Sequence, residues 1–273
     1  MKAAVAQISC SLGDPEANLL KVRDFSRRAK DVDAELIVFP EMTDTGYSMP
    51  VIQKHAASWT SGFVPGLQEI AKDLSIAIVS GVSERDISCI YNTQVLVDAS
   101  GNVAGKYRKT HLYAVAPVEE QTCFAQGDAF ATFALGGLHF GFSICYDLRF
   151  PEMYRNLVTD QKADAFVISS AWPFPRVEHF RTLAMARAIE NQAYVIASNR
   201  VGKDDDLWFC GSSAIIDPRG VLIAAASADR EELIHADLSE ELVRSVRHRV
   251  ESLAHRRPDL YDRRKSSPLE NPA

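Results

Sequence analysis

The chain has 273 residues, 47% of them apolar, and a formal net charge of −6 that is spread without long runs. This length allows one large domain or two small ones, with enough apolar material for a substantial core. The charge balance excludes a general nucleic-acid binder, which needs a basic face, and no apolar run approaches a membrane span.

Residues 2–9 read as a first strand. Asp14-Pro15 opens a helix, cap then first-turn proline, that runs to about Lys30 with Leu19, Leu20, Val22, Phe25 and Ala29 as its apolar stripe. Leu36-Ile-Val-Phe39 is apolar without alternation, as in a strand covered on both faces, and it stops at Pro40-Glu41. A polar loop through Thr45-Gly46-Tyr47 follows. A helix from Pro65 carries Leu67, Ile70, Ala71 and Leu74, and residues 76–80 form a strand ending at Gly81. Residues 91–97 and 103–106 pair as a hairpin across Asp98-Ala-Ser-Gly-Asn102, and Lys109 comes just after it.

Residues 130–135 and 139–144 pair across Gly136-Gly137, and the second strand stops at Cys145. A helix follows to about residue 158, with Pro151 placed where a helix can begin and Glu152 in its first turn. A strand over 165–169 ends at Ser-Ala-Trp172-Pro173. A helix over 176–192, a strand over 193–198 and a second hairpin around Asp217-Pro-Arg-Gly220 come next. The last strand spans 235–238, with a helix from Ser239. The two hairpins resemble one another, which hints at two related halves. Strand and helix patterns recur throughout, so one α/β domain is expected over residues 1–255. The polar, Pro-containing tail 256–273 reads as an extended arm that packs on a neighbour or a second subunit.

The five cysteines contain no C-x-x-C pair, as free thiols in a reducing cytoplasm do, and the seven scattered histidines lack metal-ligand spacing. The first residues enter a strand directly, without the apolar core of a signal peptide, so a cytoplasmic location is expected. No metal or cofactor is expected. Cys145 is delivered to a sharp strand-to-helix turn, where backbone N–H groups and a helix N-terminus favour a thiolate nucleophile. By itself it reads equally as a small core hydrophobe. Glu41 and Lys109 also sit just past strands. Alone, each reads as an ordinary solvated charge.

Taken together, Phe39-Pro-Glu41, Tyr107-Arg-Lys109-Thr-His-Leu and Ser143-Ile-Cys145-Tyr-Asp-Leu-Arg-Phe-Pro-Glu152 resemble the three catalytic motifs of the nitrilase superfamily, the carbon–nitrogen hydrolases. Tyr91-Asn92-Thr, Glu120 with Phe124 and Gly127, Ala188-Ile-Glu-Asn191 and Asn199-Arg-Val-Gly202 add to the likeness, which runs from residue 2 to about residue 240. The resemblance implies a four-layer αββα sandwich of two mixed sheets flanked by helices. It also implies a homodimer or higher homo-oligomer that often uses the C-terminal arm. It assigns Cys145 as nucleophile, Glu41 as general acid–base, and Lys109 with the Tyr146 N–H as oxyanion donors. Glu120 is the second glutamate, with Glu119 as the competing assignment.

Trp172 and Tyr47 are candidates for the pocket wall, or plain packing residues. Arg149 is expected to anchor the turn by pairing with an acid, with a substrate carboxylate as its alternative partner. The expected reaction cleaves a small amide to carboxylate and ammonia through a thioester, with an omega-amidase acting on dicarboxylic monoamides as the particular form the resemblance suggests. A nitrilase and an N-carbamoyl amidohydrolase are the alternatives within the family. Outside it stand a Cys–His hydrolase using His111 or His179, and a non-catalytic binding protein.

Overall fold

Apolar residues on both faces of a strand require a covering layer on each side. The computed structural model of the chain, which describes residues 1–116 and 118–261, shows how that demand is met. One sheet holds, in spatial order, β16 (Glu232–Asp237), β1 (Lys2–Gln7), β2 (Leu36–Val38), β3 (Ala77–Asp86), β4 (Cys89–Val97) and β5 (Val103–Arg108). Ala3, Val5, Leu36, Val38, Ala77 and Val79 are buried in a core shared with Phe140, Phe142 and Ile144 of the second sheet. The alternate residues Ala4, Ala6, Ile37 and Ile78 pack with Val22 and Phe25 of α1 (Pro15–Lys30) and Leu67 and Ile70 of α3 (Phe63–Leu74). The unbroken apolar run 36–39 therefore serves two cores at once.

The second sheet has the order β15 (Leu222–Ala225), β14 (Ala214–Ile216), β11 (Tyr194–Asn199), β10 (Ala165–Ser170), β9 (Leu138–Ile144), β8 (Thr132–Leu135). Its outer face is covered by α4 (Pro151–Thr159) and α5 (Val177–Asn191), through residues such as Leu157, Phe180 and Ala184. The result is the expected αββα sandwich. The two sheets also share one pattern. Each has three parallel strands, an antiparallel strand on one side, and an antiparallel hairpin on the other. The register slips at the same place in both hairpins, at Leu96/Val97 and at Ile215/Ile216. The likeness of the two hairpin sequences is thus a likeness of position and of bulge.

Several boundaries differ from expectation. The short helix α2 (Met49–His55) went unread, because it buries only Ile52 and so shows no apolar stripe. Strand β3 runs through Gly81 to Asp86 rather than stopping there. Glycine is needed at that point: a Cβ on Gly81 would lie 2.5 Å from the Glu41 Cα and 2.7 Å from the Pro40 carbonyl oxygen. Cys145 opens a 3-10 turn (Cys145–Arg149) that went unread, while α4 starts at Pro151 as expected. Two small hairpins, β6 (Ala114–Val115) with β7 (Val118–Glu119) and β12 (Val201–Asp204) with β13 (Leu207–Cys210), are too short to show a period. After α6 (Glu240–Arg249), capped by the Ser239 hydroxyl, the chain makes one helical turn, α7 (Pro258–Tyr261), where an extended arm was expected. The rest of that arm lies outside the described residues.

Phe142 is fully buried between the sheets, its ring tilted against Phe133 and facing Gly105 of the opposite sheet. Phe142→Ala is expected to lower stability by about 3–5 kcal/mol, measured as a lower denaturant midpoint with an unchanged slope.

Candidate active site

The C-terminal ends of the central strands of both sheets meet at one point. The Ser169 hydroxyl of β10 donates to the Phe39 carbonyl at the end of β2 (2.7 Å), and the next residues of each chain segment converge there. Glu41 follows β2, Lys109 follows β5, Cys145 follows β9 and Ala171 follows β10. Glu41, Lys109 and Glu120 are all buried. Lys109 Nζ donates to Glu41 Oε1 and to Glu120 Oε1, each at 2.8 Å. Asn92 Nδ2 donates to the same two oxygens, at 2.7 and 3.2 Å. The Ala171 N–H donates to Glu41 Oε2 (2.8 Å), and the Tyr113 N–H to Glu120 Oε2 (2.7 Å). Glu119 is exposed, so the structure puts Glu120 and not its neighbour beside the lysine.

Charge in this cluster is dominated by burial. Burial alone disfavours the Lys109 ammonium, but the Glu120 and Glu41 carboxylates outweigh it and raise its pKa well above the usual lysine value. Burial raises the Glu41 pKa. Lys109 opposes the rise, and Glu120 adds to it. Cys145 is pushed far up by burial and then by the Glu41 charge. The helix-favoured thiolate expected from the sequence is therefore not the resting state. Cys145 rests as a thiol beside a carboxylate.

The turn that carries Cys145 is strained and braced. Cys145 has φ 44°, a left-handed conformation costly for a side-chain-bearing residue. Asp147, fully buried, accepts from the Ile144 N–H (2.9 Å) and the Tyr107 hydroxyl (2.8 Å). His111 Nδ1 lies 2.7 Å from Asp147 Oδ1, and its ring stacks on Phe150 at 3.8 Å. His179 Nδ1 lies 3.3 Å from Arg149. Neither histidine bonds to Cys145, which removes the basis for a Cys–His pair. The Tyr146 N–H lies in the first turn of the 3-10 segment, where amides have no intrahelical acceptor.

Cys145 opens into a cavity of about 210 Å³, below the size of drug-binding pockets. Tyr47, Tyr146 and Trp172 line it, as does Arg149. Arg149 differs from expectation: it pairs with no acid among the described residues, its side-chain partner is His179, and its guanidinium lies 4.9 Å over the Trp172 ring. Arg176, a lining residue that sequence reasoning missed, is held through its carbonyl by the Trp172 indole N–H (2.9 Å). No carboxylate is among the lining residues described. Among the described residues, no cluster of three or more His, Cys, Asp or Glu could hold a metal, and no helix is long and apolar enough to cross a membrane.

The chain is similar to known proteins over most of its length. The carbon–nitrogen hydrolase family model matches residues 2–248. The chain is 34% identical over 256 residues to 2-oxoglutaramate amidase of Bacillus subtilis, covering 93% of this chain and 97% of the relative. It superposes on the Nit3 structure of Saccharomyces cerevisiae with TM-score 0.83 at 31% identity, covering 92% of this chain and 94% of that one. It also superposes on a mutant of the amidase from Nesterenkonia sp. AN1 (TM-score 0.86, 26% identity, 97% of both chains). That structure shows covalent addition of the acetamide moiety of fluoroacetamide at its active-site cysteine. The chain belongs to the carbon–nitrogen hydrolase family, within the nitrilase superfamily, and is an amidase.

Gly127 keeps Lys109 in place. Its N–H donates to the Lys109 carbonyl (2.9 Å), and a Cβ there would lie 2.1 Å from the Arg108 carbonyl oxygen. Gly127→Ala must therefore shift the end of β5. It is expected to cost on the order of 10²-fold in kcat while the protein still unfolds cooperatively, as kinetics and thermal melting together will show.

Proposed function

We propose that this protein is an omega-amidase: it hydrolyses the terminal amide of a small dicarboxylic monoamide through a Cys145 thioester. The carrying observation is the cavity itself, which has the Cys145 thiol at one end, ahead of the buried Glu41–Lys109–Glu120 cluster, and in its wall two arginines that have no acid partner among the described residues. Glu41 takes the Cys145 proton as sulfur attacks the amide carbon. The oxyanion that forms is held by Lys109 and the Tyr146 N–H. An ammonium has three N–H donors, and the two glutamates occupy two of them, which leaves the third for the substrate. The tetrahedral species expels the nitrogen, which leaves as ammonia with the proton from Glu41. Glu41 then takes a proton from water as it attacks the thioester carbon. The C–S bond breaks, the proton returns to sulfur, and the product leaves as the carboxylic acid, which gives its remaining proton to solvent and becomes the carboxylate. Arg149, with Arg176 beside it, pairs with the substrate's remote carboxylate.

The free thiols fit a reducing cytoplasm. A homodimer or higher homo-oligomer, with the arm 256–273 packed on a second copy, completes the reading. Light scattering checks the assembly.

Ammonia release from dicarboxylic monoamides, neutral aliphatic amides, N-carbamoyl amino acids and short nitriles tests the substrate class. The dicarboxylic monoamides are expected to turn over best, and Cys145→Ala to abolish turnover. Activity surviving in Cys145→Ala would sink the mechanism. Arg149→Met is expected to weaken kcat/KM for the dicarboxylic monoamide by about 10- to 100-fold, the worth of a charged hydrogen bond, with a much smaller loss on a neutral amide. Equal losses on both would reject the carboxylate site.

The pH profile carries a second prediction. Glu41 acts as base only when ionised, and its pKa is raised, so activity is lost as pH falls through that raised value. The acid limb of kcat/KM should lie above the ordinary glutamate pKa of about 4.3. Lys109, raised well above its usual value, stays charged through the alkaline range and does not set the basic limb.

A further inference from the structure

The stretch Asn199-Arg-Val-Gly202 contributes no group to the chemistry above, yet Arg200 is among the largest fully buried side chains. It leaves the end of β11 and is anchored by its own N–H on the Ser170 carbonyl (3.0 Å). Its guanidinium forks onto Asp204, with Nη1 on Oδ2 and Nη2 on Oδ1 (3.0 Å), and it lies 4.5 Å over the Phe209 ring. Asp204 is buried as well, and its Oδ2 accepts the backbone N–H of Tyr47 at 2.7 Å. The Tyr47 hydroxyl then donates at 2.6 Å to Glu120 Oε1, the oxygen that also receives Lys109. The Tyr47 ring meets Phe209 edge-on at 6.2 Å. The loop fits closely against the pair: a Cβ on Gly46 would lie 3.1 Å from Asp204 Oδ2.

A buried ion pair is costly to desolvate and is weak support for stability alone. Neither Arg200 nor Asp204 lines the cavity. Their joint contact toward the site is the Tyr47 backbone. We infer that the Arg200–Asp204 pair is a positioning device, which seats the Tyr47 phenol on Glu120 and thereby sets how strongly Glu120 holds Lys109. The inference rests on the reading of Lys109 as the oxyanion cation. The Tyr47 O–H draws negative charge from the oxygen shared with Lys109. Without it, Glu120 binds the ammonium more tightly and draws it from Glu41. Its charge also acts more strongly on Glu41 and Cys145, the other titratable groups facing the cluster.

The test is a double-mutant cycle on amide turnover with Tyr47→Phe and Asp204→Asn, each measured for kcat, KM and pH profile. Tyr47→Phe keeps the ring. It is expected to lower kcat by about 10- to 100-fold with KM little changed, and to move the acid limb of kcat/KM to higher pH. Asp204→Asn is expected to cost kcat similarly alone and almost nothing further in the Tyr47→Phe background, since both act through one bond. If Asp204→Asn does not fold, Arg200→Lys, which keeps the charge and loses the fork, takes its place in the cycle. A Tyr47→Phe protein with kcat within twofold of wild type and an unmoved acid limb would overturn the inference. So would fully additive losses, which mark the pair as a scaffold for β12–β13. A wild-type protein silent on every amide would instead sink the functional reading beneath it.

Discussion

One buried ammonium between two buried carboxylates governs this site. Lys109 has no water to solvate it, and neither does Glu41 or Glu120, so each charge is tolerable only because the others are there. The sum is one positive charge against two negative ones. A thiolate at Cys145 would add a third negative charge to the same volume, which is why burial and Glu41 together keep it protonated. In the proposed mechanism the nucleophile is thus made at the moment of attack, and in the acylation transition state the negative charge moves from Glu41 toward the substrate oxygen. Lys109 can follow it without moving far, because it already touches both glutamates. The resting repulsion becomes an advantage, since the charge that crowds the cluster is the one the reaction carries away.

That arrangement needs the two sheets face to face and in register. The ends of β2 and β10 are joined by Ser169 to Phe39, and by the Ala171 amide to Glu41. Gln94 adds a bond from β4 to Ser169 (2.9 Å), and Ser198 one from β11 to the Ala6 carbonyl (2.7 Å). These are buried polar groups inside an otherwise apolar sandwich, and these hydrogen bonds form only at one relative placement of the sheets. A shift of either sheet would strand them. The matching strand orientations of the two halves give the placement a simple origin: equivalent strand ends are brought opposite each other, and each supplies part of the site.

Much of this was legible in the chain. Strand ends are visible where apolar runs stop, and Glu41, Lys109 and Cys145 each stand just past one. Glu120 was separable from Glu119 by its spacing to Phe124 and Gly127, a spacing that reflects the Phe124 N–H on the Glu120 carbonyl (2.8 Å). What failed was partnership across the fold. Arg149 was expected to pair with an acid because arginine suits buried ion pairs, with no particular acid singled out. Asp147 is committed to the Ile144 amide and to His111, and the guanidinium turns to the cavity. The thiolate was inferred from a helix that begins only at Pro151, and local burial outweighs it. Arg176 and the Arg200–Asp204 pair had no signal in periodicity, because their roles depend on which loops meet.

The polarity of the pocket follows from these two facts together. Cys145 stands at one end, the lining residue Tyr47 donates to Glu120, and the wall carries Arg149 and Arg176. A substrate with an amide at one end and a carboxylate at the other meets opposite fields at the two ends. Entering carboxylate-first would bring a third anion against the buried pair, with the one cation there already shared. Entering amide-first leaves the carboxylate with the arginines and delivers the neutral end to Cys145. Selection of the amide end over the acid end therefore needs no shape difference between the two, which are nearly isosteric. The same field favours release: once hydrolysed, the amide end has become a second carboxylate, held against Glu41 only by Lys109 and the Tyr146 N–H.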